Sequence, residues 1–247
     1  MQFEQGRFLK YVYGDLCCHV DAVHAKKPTL TEASGDPECT KRWDIYTGDI
    51  VSEIAASGCT GVIATVSRLS ADLNRGPEHE APLQKDAIRE YREVIRRNLE
   101  HVCILENDEL VRPYLHLAVH GIGNHRWGEK AIELGTRQAY SDQTCSEDVF
   151  KWFFKSLKSK LDDAVPGVEI VSNERFIGHQ SLAHHRYGCP SYHGYGPNYN
   201  AVQLEISYTL RNEHREKLAA VLSELVQEFH KGFGKEAGAT TCIYRFG

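Results

Sequence analysis

The sequence predicts a single α/β domain with a central sheet flanked by helices, and three observations carry that expectation. Short β-branched apolar runs, of which Thr60-Gly61-Val62-Ile63-Ala64-Thr65-Val66 is the clearest, are set off by glycines and polar turns, as strands buried in a sheet are. Segments with apolar residues at helical spacing lie between these runs, giving the alternation of strand and helix typical of parallel sheets. No repeat, low-complexity tract or linker divides the 247 residues, so one domain over 1–247 is the economical reading.

Phe8 to Tyr13 and Cys17 to Val23 read as the first two strands, the second apolar enough to lie inside the sheet. Ala25 to Arg42, rich in Lys, Pro, Thr, Gly and Asp, has no period and is expected to be a loop, long enough to hint at function. The spacing of Ile50, Ile54 and Ala55 predicts a helix over Trp43 to Ser57, stopped by Gly58 and leading into the 60–66 strand. Leu83 to Val102 is a charged amphipathic helix. Tyr114 to His120 is a further buried strand, Ala131 to Leu134 a short one, and Ser146 to Ala164 a helix with a stripe of Val149, Phe150, Phe153, Phe154, Leu157 and Leu161. After a strand at Val168 to Val171, the His-, Tyr- and Gly-rich stretch 178–200 is expected to be a loop that walls or covers a substrate. Ala201 to Ile206 alternates, placing Gln203 and Glu205 on one face. Asn212 is expected to cap a helix burying Leu218, Val221, Leu222, Leu225, Val226 and Phe229, with Gly232 ending it and Thr240 to Phe246 forming a last strand.

Composition narrows the class. A formal charge of −5, from 29 Lys and Arg against 34 Asp and Glu, argues against a nucleic-acid partner. No run approaches the roughly 18 apolar residues of a membrane helix, and Met1 to Lys10 lack a signal-peptide core, so a soluble cytoplasmic protein with no membrane partner is expected. Eight cysteines without a Cys-x-x-Cys pair indicate neither a zinc ribbon nor a disulfide scaffold. The 13 histidines raise the case for a metal site without locating it.

The chemistry concentrates at strand ends, where ligands gather in open α/β sheets. Val66 to Arg75 ends in groups that a core cannot use: Arg68 and Arg75, with the Asn74 amide between them, suit a substrate carboxylate that a guanidinium grips with two parallel hydrogen bonds. The alternative is a surface loop in which Asp72 pairs with an arginine. His24 and His120 each lie at the end of a buried strand, as a two-histidine metal site requires, although either alone could be a packing residue. A catalytic zinc takes three protein ligands and keeps a position for water. Asp44, with Glu38 and Asp49 as competitors, offers the third. Glu205 is the candidate general base, a carboxylate able to take a proton from metal-activated water and deliver it to a leaving amine; its plainer role would be a salt bridge from an edge strand.

Together these segments resemble the N-formylglutamate amidohydrolase family. Ser67-Arg68 followed by Asp72-Leu73-Asn74-Arg75 looks like the family's SR…DLNR signature, Gly135-Thr136-Arg137 is similar to its GTR segment, and Gln203-Leu204-Glu205 to its QLE strand. His24 and His120 fall where the family places histidines, and the order of segments agrees from roughly residue 20 to residue 230. The resemblance implies a central mixed, mostly parallel sheet between helices, the zinc-exopeptidase (phosphorylase/hydrolase-like) architecture shared with zinc carboxypeptidases and aspartoacylase. It implies Zn2+ on His24 and His120, Glu205 as base, Asn74 and Arg75 on the substrate carboxylate, Arg68 polarising the scissile carbonyl, and Arg137 helping to bind substrate. The partner would be a small anionic acyl amino acid or an acidic peptide. Two positions depart from the pattern. The PHSG turn around the first histidine is replaced by Val23-His24-Ala25-Lys26-Lys27, and the acid two residues before the second is Ala118. Two rival readings stand beside the first: a γ-glutamyl or poly-γ-glutamate hydrolase with a longer substrate under the 178–200 loop, and a binding protein that grips a carboxylate without turnover.

Overall fold

The computed structural model describes residues 2–234; the strand expected at Thr240 to Phe246 lies outside the described residues. In chain order the strands are β1 (Glu4–Gln5), β2 (Leu9–Val12), β3 (Cys18–Ala22), β4 (Thr60–Ala64), β5 (Leu105–Glu106), β6 (Glu109–Leu110), β7 (Tyr114–Ile122), β8 (Ala131–Gly135), β9 (Glu169–Ser172) and β10 (Tyr199–Ser207). Eight of them form one sheet in the order β1-β2-β4-β3-β7-β10-β8-β9, while β5 and β6 pair as a separate hairpin. The β3–β4, β3–β7, β7–β10 and β8–β9 pairs are parallel; β1–β2, β2–β4 and β8–β10 are antiparallel. The sheet is therefore mixed, with parallel pairs in the majority. Its central strands are buried on both faces, as parallel strands covered by helices must be, which is why they read as continuous apolar runs.

The two faces have different company. On one, α1 (Thr47–Ala55), α3 (Glu147–Ala164) and α6 (Arg215–Phe229) press apolar stripes, including Ile54, Phe153 and Phe229, onto Val20, Leu117, Val119 and Leu204. Truncating a fully buried phenylalanine such as Phe153 to alanine would cost about 3–5 kcal/mol. On the other, α2 (Gln84–His101) lays Ile88, Tyr91, Val94, Ile95 and Leu99 over Leu9, Val62, Ala118 and Tyr199. Strand alternation sends His19, Asp21, His116, His120, Gln203 and Glu205 to this second face, and register sets His19 beside His116 and Glu205 beside His120. Among the described residues no helix is long and apolar enough to cross a membrane.

Four expectations change. The first helix starts at Thr47 rather than Trp43, because Tyr46 takes a left-handed conformation (φ 69°) and breaks the turn before it. The 178–200 stretch contains a helix, α4 (Gln180–Tyr187), capped by His179, which accepts from the Ser181 backbone N–H; histidine is not among the usual capping residues. A short helix, α5 (Tyr208–Glu213), precedes α6, so Asn212 lies inside it and His214 holds the α6 cap position. Helical structure also runs on past Gly232 as a π turn over His230–Gly234.

Candidate metal and carboxylate site

His24 follows β3 by two residues, His120 lies near the end of β7, and Asp44 reaches them from the loop before α1. That loop is fastened locally: the Asp44 N–H donates to the His24 carbonyl (2.9 Å), and the Thr47 hydroxyl donates to the Asp44 carbonyl (2.7 Å). One ligand atom from each of His24, Asp44 and His120 falls within 4.8 Å of the others. Asp44 Oδ2 is 3.4 Å from His24 Nδ1 and 3.3 Å from His120 Nδ1. Charge-assisted hydrogen bonds are shorter, about 2.7–2.9 Å. Ligands about 2.0–2.1 Å from a tetrahedral zinc are instead about 3.3–3.4 Å apart. His24 Nε2 faces Asp72 Oδ1 at 2.7 Å, which puts the proton on Nε2 and leaves the Nδ1 lone pair pointing inward. His120 turns Nδ1 toward Asp44, and among the described residues its buried Nε2 has no hydrogen-bond partner. These residues fit a divalent ion.

The electrostatics agree. Burial pushes the Asp44 carboxyl up, but the two histidines, His120 first, outweigh it and hold it well below the usual carboxylate range. Burial pushes His120 down, yet Asp44 and Glu205 outweigh it and raise it to about 8. The field that favours a proton there also favours a cation. Glu205 is shifted up, chiefly by burial and also by Asp44, as suits a base. Its Oε1 accepts from Gln203 Nε2 at 2.7 Å, and its strand lies inside the sheet between β7 and β8, not at an edge.

Asp72 joins the candidate metal group to the arginines. Besides His24, its Oδ2 accepts from Arg68 Nη2 (3.2 Å) and lies 3.7 Å from Arg75 Nε. Its carboxyl stays low despite burial because His24 and Arg68 favour the anion. The segment is held by Gln84, which accepts from the Asp72 N–H (2.9 Å) and donates to the Asp72 carbonyl (2.8 Å). Glu32, from the long loop after β3, accepts from the hydroxyls of Ser67 and Ser70, each at 2.7 Å, so that loop pins the arginine-bearing turn. Arg68, Asn74, Arg75, His24, Asp44, His120, Gln203 and Glu205 all line one cavity of about 440 Å³, walled opposite by residues 175–179.

The two competitors for Asp44 lie elsewhere: Glu38 pairs with Lys41 on the surface (2.6 Å), and Asp49 with Arg215 (3.5 Å). Arg137, expected to bind substrate, is not in the cavity wall. Its Nε donates to Asp142 (2.9 Å) and its guanidinium stacks on Tyr140. The segment around it is scaffolding instead. Gly135 packs against the backbone of Phe176 and Gly178, the Thr136 N–H donates to Asn173 Oδ1 (2.8 Å), and the Arg137 N–H donates to the Ile177 carbonyl (2.6 Å). Residue-level reading missed the hold of Asp72 on His24 and the place of His179 in the wall.

It also missed a second polar group on the same sheet face, His19, Asp21 and His116, wholly buried. His116 Nε2 is 2.8 Å from Asp21 Oδ2, which also accepts from the Tyr91 hydroxyl; His116 Nδ1 meets Tyr199 Oη (3.2 Å) and His19 Nδ1 meets Tyr114 Oη (3.0 Å). The two imidazoles stack at 3.9 Å and 23°, so their in-plane lone pairs run side by side rather than converging, and none of the three lines the cavity. The first group is the better metal site. Strand alternation in His19-x-Asp21 and the four-residue step from His116 to His120 were the available signals.

No protein-family model matches the sequence, and a search of curated proteins finds no match. Solved structures do match. The chain is similar to an N-formylglutamate amidohydrolase from Ralstonia eutropha JMP134, with 16% identity, a TM-score of 0.62, and coverage of 91% of this chain and 97% of that one. It is similar to a gene product of Agrobacterium tumefaciens, with 15% identity, a TM-score of 0.58, and coverage of 90% and 94%. A bacteriophage poly-γ-glutamate hydrolase aligns at 12% identity with a TM-score of 0.47 over 92% of each chain. At these identities the likeness is one of architecture: the chain shares the fold seen in the N-formylglutamate amidohydrolase structure.

Proposed function

We propose that this protein is a zinc-dependent amidohydrolase that cleaves the amide bond of a small carboxylate-bearing N-acyl amino acid such as N-formylglutamate. The observation that carries the reading is the spacing of His24 Nδ1 and His120 Nδ1 about Asp44 Oδ2, 3.4 and 3.3 Å, at the edge of a cavity that also holds Glu205 and Arg75. A zinc ion on these three residues supplies Lewis acidity, lowering the pKa of water and polarising a carbonyl. Glu205, oriented by Gln203, takes a proton from the attacking water and passes it to the amide nitrogen as the C–N bond breaks. Arg68 offsets charge that builds on the carbonyl oxygen, while Asn74 and Arg75 hold the substrate carboxylate. The cavity, at about 440 Å³, falls in the range of small-molecule sites, which favours a monomeric substrate over a polymer.

The test is Glu205→Gln, which removes the base without touching a proposed ligand. Formate release from N-formyl-L-glutamate should fall by about 10²–10⁴-fold with zinc content unchanged. Full activity in the variant would overturn the assignment of the base. A zinc-loaded wild type that hydrolyses no N-acyl glutamate would overturn the hydrolase reading in favour of a carboxylate-binding protein.

A further inference from the structure

The cavity carries a second pair of arginines, which the proposed mechanism does not use. Arg68 and Arg75 follow β4 and share the Asp72 carboxylate. Arg126, in the turn after β7, and Arg175, in the turn after β9, line the same cavity. Among the described residues neither has an acidic partner. Arg126 makes no side-chain hydrogen bond or ring contact at all, and Arg175 stacks on Trp127 (4.4 Å to the ring centroid) and donates to the Arg126 carbonyl at a long 3.4 Å. That bond sets the two residues side by side. In the sheet order, β3, β7 and β10, which bring His24, His120 and Glu205, lie between β4 and β9, so the candidate metal centre is flanked by one arginine pair from β4 and a second that reaches out to β9.

The turns that carry the second pair are held by one buried acid. Glu133 on β8 is wholly buried; its Oε1 accepts from the backbone N–H groups of Glu174 (2.9 Å), Arg175 (2.6 Å) and Phe176 (2.9 Å), and its Oε2 accepts from Trp127 Nε1 (2.8 Å). A buried carboxylate must be satisfied by donors, and these come from the backbone and the indole rather than from a guanidinium. Glu133 therefore fixes the wall and leaves both arginine side chains to the cavity. Four arginines line that cavity against two carboxylates, Asp44 and Glu205. A cleft lined by an excess of one charge draws in ligands of the other.

We propose that Arg126 and Arg175 are specificity-determining residues that form a second anion subsite, so that the site takes N-acyl amino acids with two carboxylates in preference to those with one. The inference rests on the reading of this cavity as the substrate site and names the substrate class it selects. One carboxylate docks on Asn74 and Arg75 and the other on Arg126 and Arg175, with the amide between them beside Glu205. A guanidinium pairs with a carboxylate through charge-assisted hydrogen bonds, and a carboxamide of the same shape brings no charge to meet it. Both arginines are exposed, so water softens the discrimination.

The probes are glutarate and its monoamide, which differ by one charge at nearly constant shape, titrated calorimetrically into the zinc-loaded protein. Wild type should bind glutarate about tenfold more tightly than the monoamide. In the double variant Arg126→Gln, Arg175→Gln that ratio should fall to near one, with unchanged circular dichroism, since the bonds of Glu133 go to backbone N–H groups and to Trp127. The same variant should lose the preference for N-formyl-L-glutamate over N-formyl-L-glutamine through KM rather than kcat. Equal affinities for the two probes in wild type, no glutarate binding, or a ratio that survives in the double variant overturns the subsite. A protein whose glutarate preference depends on these arginines yet which hydrolyses no N-acyl amino acid would overturn the hydrolase proposal and leave the subsite standing. Hydrolysis of N-formyl-L-glutamate and N-formyl-L-glutamine at equal kcat/KM would do the reverse.

Discussion

Asp72→Asn isolates the carboxylate that orients His24, the first of the proposed metal histidines. Asp72 is buried, receives His24 Nε2 at 2.7 Å and anchors Arg68 at 3.2 Å, so the substitution keeps size and shape while deleting one charge. The asparagine oxygen can still accept from His24 Nε2–H, which preserves the tautomer but makes the imidazole less electron-rich. Outer partners of metal-bound histidines are worth about 10–100-fold in metal affinity, which corresponds to about 1.4–2.7 kcal/mol. If the amide instead turns its NH2 toward His24, the ring proton moves to Nδ1 and blocks the ligand atom, and the loss reaches or exceeds the upper end of that range. Competition between the protein and a chromophoric chelator measures the zinc Kd directly. The reasoning fails if Asp72→Asn binds zinc as tightly as wild type.

Two further outcomes follow from the scaffold. A Cβ on Gly135 would lie 2.4 Å from Gly178 N and 2.5 Å from Phe176 O, and backbone cannot yield without shifting the segment that leads into His179. Gly135→Ala should destabilise the fold by about 1–3 kcal/mol and raise the KM for an acidic substrate; a normal urea midpoint with a normal KM would contradict this. His19 and His185 are held well below 6.5 by burial, reinforced by His116 and Arg92 respectively. The unfolded chain takes up protons near pH 6.5 that the folded chain refuses. The contribution of these two histidines to stability is therefore full above that value and falls as pH drops below it, by up to about 1.4 kcal/mol per pH unit for each. Urea midpoints between pH 7 and pH 5 read this slope, and a flat profile would refute it.

Much of this was legible because it is local. The periods of the 60–66, 114–120 and 201–206 runs and of the helices over 83–102 and 146–164 follow from which faces are buried, and the alternation of Gln203-Leu204-Glu205 put the candidate base on the face shared with His120. What escaped depends on contacts far apart in sequence. Asp72 next to two arginines looks like an arginine partner, and it is one; its bond to His24 spans 48 residues and leaves no local trace. Helix α4 has no apolar stripe to announce it, and its histidine cap is not a usual start signal. Arg137 looks like a ligand residue until Asp142 and Tyr140 are seen to occupy its guanidinium. At Ala118, where the resembled family has an acid, Asp21 of the neighbouring strand stands in register, yet its Oδ2 serves His116 and Tyr91 rather than His120.

The most direct test of the account is the zinc content of protein loaded with the metal and then desalted, compared between wild type and His24→Ala. The arrangement of His24, Asp44 and His120 predicts about one zinc per chain in wild type and its loss in the variant. A metal-free wild type would contradict the central claim. So would a His24→Ala protein that keeps its zinc, which would move the ion to the buried His19, Asp21 and His116 group.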